Sequence, residues 1–363
     1  MTTRSGSTPA GTTPAGSTRS GAVRGPSRRA LMTGAGTAVL GALGGATAAR
    51  ALGTAGTAPA GTAPAAAAGP AAGRRTAAPG YASFTWLGTS GWKIRTPHST
   101  VLVDPYVTRF DTGMAAGAFD AGTPLRVDAA ALDRALGPAA SPEGAVDAIL
   151  VTHTHWDHFA DVPHLAGTRG GMVFTTLTGY HLALAMGVPR DRLAVVRGGE
   201  EMHLGDLVLR VVPSLHSRTA TGALLFPGVH TQVPDRPRTI ADLPEGDTLS
   251  YLLRSPQGRS ALLLGGSDYD DQALRGLAVD TVALPVPSTD VTADYAGRLL
   301  RALDGVTQVV LVHWDDFETP LADPPRATDA TRDRMRELTR QVRQVVPRAR
   351  VVVPDYGTPL PLL

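Results

Sequence analysis

Cysteine is absent from the 363-residue sequence. This absence excludes disulfide bonds, thiolate metal sites, cysteine nucleophiles and a lipid-modified cysteine. Any metal site in this chain must therefore use the 10 histidines and the carboxylates among the 32 acidic residues. The absence does not identify the compartment, because proteins without cysteine occur in oxidising and in reducing environments.

Acidic residues are absent from the first 80 positions, and lysine is nearly absent from the whole chain. Eight of the 34 basic residues are arginines within those 80 positions, so residues 81–363 carry 26 basic and 32 acidic side chains. Lys93 is the only lysine. The positive formal net charge therefore originates in the N-terminal part. The acidic remainder argues against a nucleic-acid partner, since phosphate backbones require clustered cations.

Long hydrophobic runs are also absent, and the uncharged stretch of residues 33–49 is rich in glycine and alanine. It follows Ser27-Arg28-Arg29-Ala30-Leu31-Met32, and the two together resemble a twin-arginine export signal. We predict a signal segment over residues 1–49 that is cleaved near Ala48, recognition by the twin-arginine export machinery, and a secreted protein without a stable membrane span. The alternative is an arginine-containing tail of an alanine-rich protein.

Residues 50–80 are a mixture of alanine, glycine, threonine and proline without periodicity, which cannot bury enough apolar surface to fold. They are predicted to be a disordered linker. From Tyr81 onwards, short apolar runs alternate with turn residues. We expect one folded domain over residues 81–363.

The apolar runs of this domain predict strands in both halves, with helices between them. The first three strands, over residues 81–87, 92–95 and 100–103, are expected to form an antiparallel meander. Strands rich in apolar residues with helices in each half indicate two sheets packed face to face, with helices outside. The further strands are predicted over residues 146–152, 172–176, 207–212, 249–254, 261–264, 281–284 and 309–312, and the helices over residues 128–136, 291–303 and 327–345.

The most informative motif lies directly after a fully apolar strand. Ala148 to Thr152 run into His153-Thr154-His155-Trp156-Asp157-His158, which is an H-x-H-x-D-H pattern. Alternate residues of an extended chain point the same way, so His153 and His155 can bind one ion together. Asp157 and His158, after a turn, can face a second ion nearby. The spacing therefore favours a site for two metals.

Three further candidate ligands each follow an apolar run. His216 comes after residues 209–215, Asp268 after residues 262–267, and His313 after residues 309–312. A single histidine at a strand end is more often a surface residue than a ligand. Together with the upstream motif, however, histidine and aspartate at successive strand ends are typical of a metal site.

These residues, in this order, resemble the metallo-β-lactamase superfamily. The segments 85–91, 101–105 and 313–317 are similar to the branch that contains ascorbate-6-phosphate lactonase and N-acylphosphatidylethanolamine phospholipase D. The resemblance spans nearly all of residues 81–363. It implies an α+β fold, a four-layer αββα sandwich, with a dinuclear metal site along one edge of the two sheets and a small-molecule or lipid-like substrate.

The resemblance also implies a role for each ligand, with Asp157 and Asp268 as the catalytic carboxylates. Zinc is the expected metal, because histidine and carboxylate suit it, and manganese and iron are the alternatives. The implied sets are His153, His155 and His216 for the first ion, Asp157, His158 and His313 for the second, and Asp268 as a bridge between them.

A bridging aspartate argues against antibiotic hydrolysis, since true β-lactamases of this superfamily generally lack it. The expected activity is hydrolysis of an ester, a lactone or a phosphodiester by a hydroxide held between two ions. Asp104, Asp315 and Asp316 are candidates for supporting the ligands. His230 belongs to residues 217–247, where the superfamily places substrate-binding loops. One competing hypothesis is a secreted metal-binding protein without turnover. The other is a di-iron oxidoreductase, and the sequence does not support it because no flavodoxin-like extension is present.

Overall fold

The computed structural model describes residues 81–363, so the predicted signal segment and linker lie outside the described residues. Seven strands form the first sheet, in the order β17-β1-β2-β3-β4-β5-β6. These strands are β1 (Ser83–Trp86), β2 (Trp92–Arg95), β3 (Thr100–Val103), β4 (Ala148–Leu150), β5 (Met172–Thr175), β6 (Leu193–Val195) and β17 (Pro359–Pro361).

The second sheet has the order β11-β8-β9-β10-β13-β15-β16, and β7 pairs with β8 beside this path. A separate parallel pair is formed by β12 (Leu277–Ala278) and β14 (Leu303–Asp304). The strands of the second sheet are β7 (Glu201–Leu204), β8 (Leu207–Leu215), β9 (Thr248–Arg254), β10 (Ser260–Leu264), β11 (Asp268–Tyr269), β13 (Thr281–Pro285), β15 (Gln308–Val312) and β16 (Arg350–Val352).

Helices connect the strands in both halves of the described chain. The helices are α1 (Ala129–Leu136), α2 (Trp156–Phe159), α3 (Val162–Arg169), α4 (Leu177–Ala185), α5 (Asp271–Leu274), α6 (Tyr295–Ala302) and α7 (Asp329–Val345). None of the helices in residues 81–363 combines the length and the apolar character needed to cross a membrane.

Two apolar clusters hold these layers together. In the larger cluster, Phe84 and Trp86 of β1 pack with strands of the second sheet and with Leu299 of α6 and Leu338 of α7. In the smaller cluster, helices α1 to α4 pack on the opposite face of the first sheet through residues such as Leu132. The layers are therefore helix, sheet, sheet and helix, and the predicted αββα sandwich is confirmed.

The predicted elements agree with the structure at most positions, and their ends differ. The antiparallel meander of β1, β2 and β3 is present. From β3 to β6 the first sheet continues with parallel strands, which the sequence did not specify. The helix predicted over residues 291–303 begins only at Tyr295, because Asp294 has a left-handed conformation with φ of 45°.

Parallel strand pairing determines where the predicted metal ligands lie. Strands β3 and β4 are parallel in the first sheet, and β10, β13 and β15 are parallel in the second. The carboxyl ends of parallel neighbours lie at the same edge of a sheet. The segments that follow β4, β10 and β15 contain most of the predicted ligands, so the fold gathers them along one edge.

Candidate metal centre

The H-x-H-x-D-H motif changes from extended chain to helix within its own length. Residues 151–155 follow β4, His155 is the N-cap of α2 with ψ of 155°, and Asp157 and His158 lie in the first turn of that helix. The change of direction separates the motif into two pairs of side chains. Both pairs are buried, His153 and His158 being only 1% exposed.

The first triad consists of His153, His155 and His216. Each offers a ring nitrogen, and the three nitrogens lie within 4.8 Å of one another. The Nε2 atoms of His153 and His216 are 3.1 Å apart. This is the first of the two ligand sets that the resemblance implies, and the structure brings it together.

Hydrogen bonds to the far sides of these rings determine which nitrogens face the centre. Nδ1 of His216 donates to the carbonyl of Ser217 at 2.6 Å, and Nε2 of His155 donates to that of Leu225 at 2.8 Å. Thr152 Oγ1 donates its only proton to Asp104, so at 3.1 Å it accepts from Nδ1 of His153.

The ring nitrogens that face the centre of the triad are therefore unprotonated, and they present lone pairs rather than N–H groups. Burial lowers the pKa of His155 to about 4 and that of His216 to about 3. It also lowers the pKa of His153 well below its usual value. Two unprotonated Nε2 atoms at 3.1 Å repel each other unless a cation lies between them, so this triad fits a divalent metal.

The second triad consists of Asp157, His158 and His313, and all three side chains are buried. Asp157 Oδ2 lies 3.3 Å from Nε2 of His158 and 3.2 Å from Nε2 of His313. Nδ1 of His313 has no hydrogen-bond partner in the described chain. Two imidazoles and one carboxylate form a common ligand set for zinc and similar ions.

Opposing effects act on the protonation of His158. Burial disfavours its charged form, but the carboxylates of Asp157 and Asp104 outweigh burial and raise its pKa to about 10. The pKa of Asp157 lies well below its usual value, because the neighbouring histidines outweigh the opposing effect of burial. A metal ion held by Asp157 and His158 would take the place of the proton between them.

The two triads are direct neighbours. The ring centroids of His153 and His158 are 3.9 Å apart, and one ring belongs to each triad. Two ions held by the triads would therefore lie side by side, as the motif spacing indicates.

Asp104 supports the motif from β3. Its Oδ1 accepts the backbone N–H of Thr152 at 2.7 Å, and its Oδ2 accepts Nδ1 of His158 at 2.8 Å. Asp104 is fully buried and has a left-handed φ of 42°. It therefore orients His158, as the sequence suggested.

Thr89 ties the second triad together from the first turn of the domain. Its carbonyl accepts the backbone N–H of His313 at 2.8 Å, and its Oγ1 lies 3.2 Å from the carbonyl of Asp157. Its own N–H donates to Asp315 Oδ1 at 2.9 Å, and Asp315 forms a buried ion pair with Arg109 at 3.0 Å. Sequence reasoning missed Thr89 and Arg109. The Gly-Thr-Ser-Gly turn at residues 88–91 was the only signal for either of them.

Strained backbone is concentrated around this triad. Thr89 and His313 have positive φ values of 44° and 60°, as Asp104 does. Such conformations cost residues other than glycine on the order of 1–3 kcal/mol each, so the surrounding contacts must hold them. Asp316, by contrast, accepts N–H groups of residues 318 and 319 and stabilises its own loop.

A family model described as the beta-lactamase superfamily domain matches residues 83–297, which is more than half of the chain. The chain belongs to the metallo-β-lactamase superfamily of metal-dependent hydrolases. A relative from Myxococcus xanthus, named UPF0173 metal-dependent hydrolase, is 25% identical over 282 residues, covering 77% of this chain and 84% of that protein. A likewise named relative from Thermodesulfovibrio yellowstonii is 26% identical over 220 residues, covering 55% of this chain and 66% of that protein.

Among solved structures, the metallo hydrolase Igni18 from the archaeon Ignicoccus hospitalis is 16% identical to this metallo-β-lactamase superfamily member. The similarity covers 77% of this chain and 97% of that chain, with a TM-score of 0.47.

Asp268 is the one predicted ligand of this superfamily member that belongs to neither triad. It opens β11 and is paired with Leu215, next to His216, so it lies at the same edge of the sheet. Its Oδ1 accepts the N–H of Tyr269 at 3.0 Å. Residues Gly265-Gly266-Ser267 separate Asp268 from the end of β10, and β11 begins at Asp268 itself. Its bridging role stays a prediction.

A pocket of about 620 Å³ opens beside His216 of the first triad. Its apolar lining includes Leu177 and Leu224, and its charged lining consists of Arg197, Arg218, Glu245 and Asp247. Part of this lining comes from residues 217–247, the predicted substrate loop. His230 lies elsewhere in that loop, in a pocket whose lining contains none of the triad residues.

Proposed function

We propose that this chain is an exported hydrolase that holds two divalent ions and cleaves an ester, a lactone or a phosphodiester. The observation that carries the proposal is the pair of triads in direct contact, one of three histidines and one of two histidines and Asp157, in which five of the six side chains are buried and His216 is half-buried. A pair of divalent ions, when bound, supplies a water of lowered pKa and polarises a carbonyl or phosphoryl oxygen.

The residues of this chain prepare the centre for such ions. Ring hydrogen bonds to Ser217, Leu225 and Thr152 orient the histidines of the first triad. The carboxylate of Asp157 is ionised, so it would offset part of the positive charge of an ion bound at the second triad. Zinc suits this donor set, with manganese and iron as the alternatives.

The pocket beside His216 supports a substrate with apolar and anionic parts. Leu177 is 37% and Leu215 47% exposed, which leaves apolar surface beside the metal centre. Arg197 and Arg218 line the same pocket and suit a carboxylate or phosphate oxygen, while Glu245 and Asp247 add two hydrogen-bond acceptors to its lining.

The test combines metal analysis with a substrate panel. The purified full chain is expected to carry two metal equivalents after reconstitution with zinc, manganese or iron. It should also hydrolyse at least one substrate of a panel of p-nitrophenyl phosphodiesters, phosphomonoesters, acyl esters and lactones. His153→Ala should lose metal and activity, whereas His98→Ala, at an exposed histidine outside both triads, should keep both.

Two results would overturn this proposal in different ways. A wild-type chain that takes up no divalent metal after reconstitution would end the dinuclear assignment. A chain with both metals and no turnover on any member of the panel would favour a secreted metal-binding protein, which is the second candidate function.

A further inference from the structure

A basic groove of about 760 Å³ lies on the helix-covered face of the first sheet. Side chains alternate along β1 and β2, so Phe84 and Ile94 point into the sandwich while Thr85, Lys93 and Arg95 point away from it. Those outward side chains, helix α1 and residues 320–322 line the groove. None of the triad residues contributes to it, so the groove is separate from the metal centre.

We infer that this groove binds a small polyanion, such as an organic phosphate or a polycarboxylate. Five cationic side chains line it, against the single carboxylate of Asp128. The carboxylate of Asp128 accepts the N–H of Ala131 and caps α1. The cationic side chains are Lys93, Arg95, Arg109, Arg126 and Arg134.

Four of these cations have no acidic partner in the described part of the chain. Arg109 is neutralised by Asp315, with Nη1 and Oδ2 3.0 Å apart. Lys93, Arg95, Arg126 and Arg134, in contrast, form no salt bridge within residues 81–363. No ion pair within residues 81–363 relieves their mutual repulsion, which Glu143 offsets in part at Lys93 and Arg95. Solvent, salt or a bound anion must relieve the rest.

The groove collects cations although the domain as a whole is acidic. Residues 81–363 carry 26 basic and 32 acidic side chains, so cations are the minority. On α7, for comparison, Arg332, Arg336 and Arg340 each pair with a carboxylate three residues before them. Unpaired cations collected around one groove of an acidic domain point to an anionic ligand.

Two of the cations are held in position by the protein itself. Lys93 is half-buried, and its Nζ donates to the carbonyl of Leu136 at 2.7 Å. Nη2 of Arg126 donates to the carbonyl of Arg109 at 3.1 Å, and its guanidinium lies over the ring of Phe110. Each of these bonds uses one N–H, which leaves two donors on the ammonium and four on the guanidinium for a ligand.

The pKa of Lys93 agrees with a positive potential in the groove. Burial lowers this pKa, and the charges of Arg95 and Arg169 lower it further, while Glu143 partly offsets them. A bound anion would favour the charged form of Lys93 and act against these effects.

Size and charge restrict the occupant to a small molecule. A groove of about 760 Å³ holds a metabolite-sized ligand. The first 80 residues of the same chain carry eight arginines and no acidic residue, so they would be repelled by the groove. The acidic surface of the domain likewise disfavours a nucleic acid.

The test uses the full chain after metal removal by a chelator, because phosphates would otherwise also bind the metal centre. Pyrophosphate and citrate are titrated by calorimetry, and the melting temperature is measured at constant ionic strength with chloride as the reference. We expect saturable binding with a stoichiometry of one and a raised melting temperature. The double variant Arg95→Gln/Arg134→Gln should weaken binding at least tenfold.

A matched control variant removes two positive charges outside the groove. Arg275 and Arg348 are exposed, unpaired with any acid in the described chain, and outside the groove. Arg275→Gln/Arg348→Gln should leave the affinity within twofold of wild type. The groove variants replace exposed side chains that lie outside both apolar clusters, so folding should survive, and circular dichroism checks this.

Three results would overturn the inference. One is the absence of saturable binding to both probes, and another is equal weakening by the control pair, which would indicate diffuse attraction. The third is binding to phosphatidylglycerol vesicles without binding to pyrophosphate or citrate, which would make the groove part of a membrane-facing surface instead.

Discussion

Oδ2 of Asp104 lies 2.8 Å from Nδ1 of His158, and this contact connects the end of β3 to the second metal triad. The hydrogen bond leaves Nε2 of His158 facing Asp157. The same Asp104 side chain accepts the N–H of Thr152, directly before the first histidine of the motif. One carboxylate thus orients the motif at both ends.

Asp104→Asn is therefore expected to weaken metal binding without removing a ligand. An amide can present its NH₂ group to His158 and reverse the ring hydrogen bond, so the affinity of the second triad should fall about 10- to 100-fold. Competition with a metal chelator measures this change. Asp191→Asn, at an exposed carboxylate, serves as the control. Unchanged affinity in Asp104→Asn would show that His158 is oriented by its packing alone.

The metal-free protein is expected to lose stability as the pH falls. The pKa of His155 is about 4 and that of His216 about 3 in the folded chain, against about 6.5 when unfolded. The unfolded state therefore binds more protons below pH 6.5, and the free energy of unfolding decreases from there towards pH 4. Each buried histidine contributes a loss on the order of 3 kcal/mol.

Urea unfolding of the chelated protein at pH 7, 5.5 and 4.5 measures this loss. Carboxylates titrate over the lower part of the same range, so the informative comparison is His216→Gln, which should show a shallower decrease than wild type. Equal slopes for the two proteins would mean that His216 is accessible to protons in the folded state.

Asp268→Asn tests the one predicted ligand outside the triads. A bridging carboxylate binds one ion through each oxygen, whereas an amide offers one good donor and no charge. If Asp268 bridges the ions, the variant should lose metal and its kcat should fall about a hundredfold. Metal analysis and turnover on the identified substrate measure both. If both metals and turnover are kept, the six triad residues form the complete protein ligand set.

Replacement of Arg28 and Arg29 by lysine tests the export proposal. The twin-arginine machinery recognises the guanidinium pair rather than charge alone, so the Arg28→Lys/Arg29→Lys protein should stay inside the cell. Cell fractionation followed by immunodetection measures its location. Secretion at the wild-type level would exclude the twin-arginine route.

Local sequence patterns were sufficient to predict the first ligands and the type of fold. Alternation in an extended chain is a local property, so His153 and His155 could be paired from their spacing alone. The turn that directs Asp157 and His158 to a second position is equally local. Apolar strand runs with helices between them were sufficient for a sandwich of two sheets, because such faces must be buried against each other.

Contacts between residues that are distant in the sequence could be established from the tertiary structure alone, even where the resemblance had named the residues. His216 and His313 follow strands of the second sheet and meet the motif, which follows β4 of the first sheet, whereas Asp268 belongs to neither triad. The links from Thr89 to His313 and from Arg109 to Asp315 span more than 200 residues, and no local pattern records them. The basic groove likewise collects Lys93, Arg126 and Arg134 from separate elements, because charge density depends on distance in space and not along the chain.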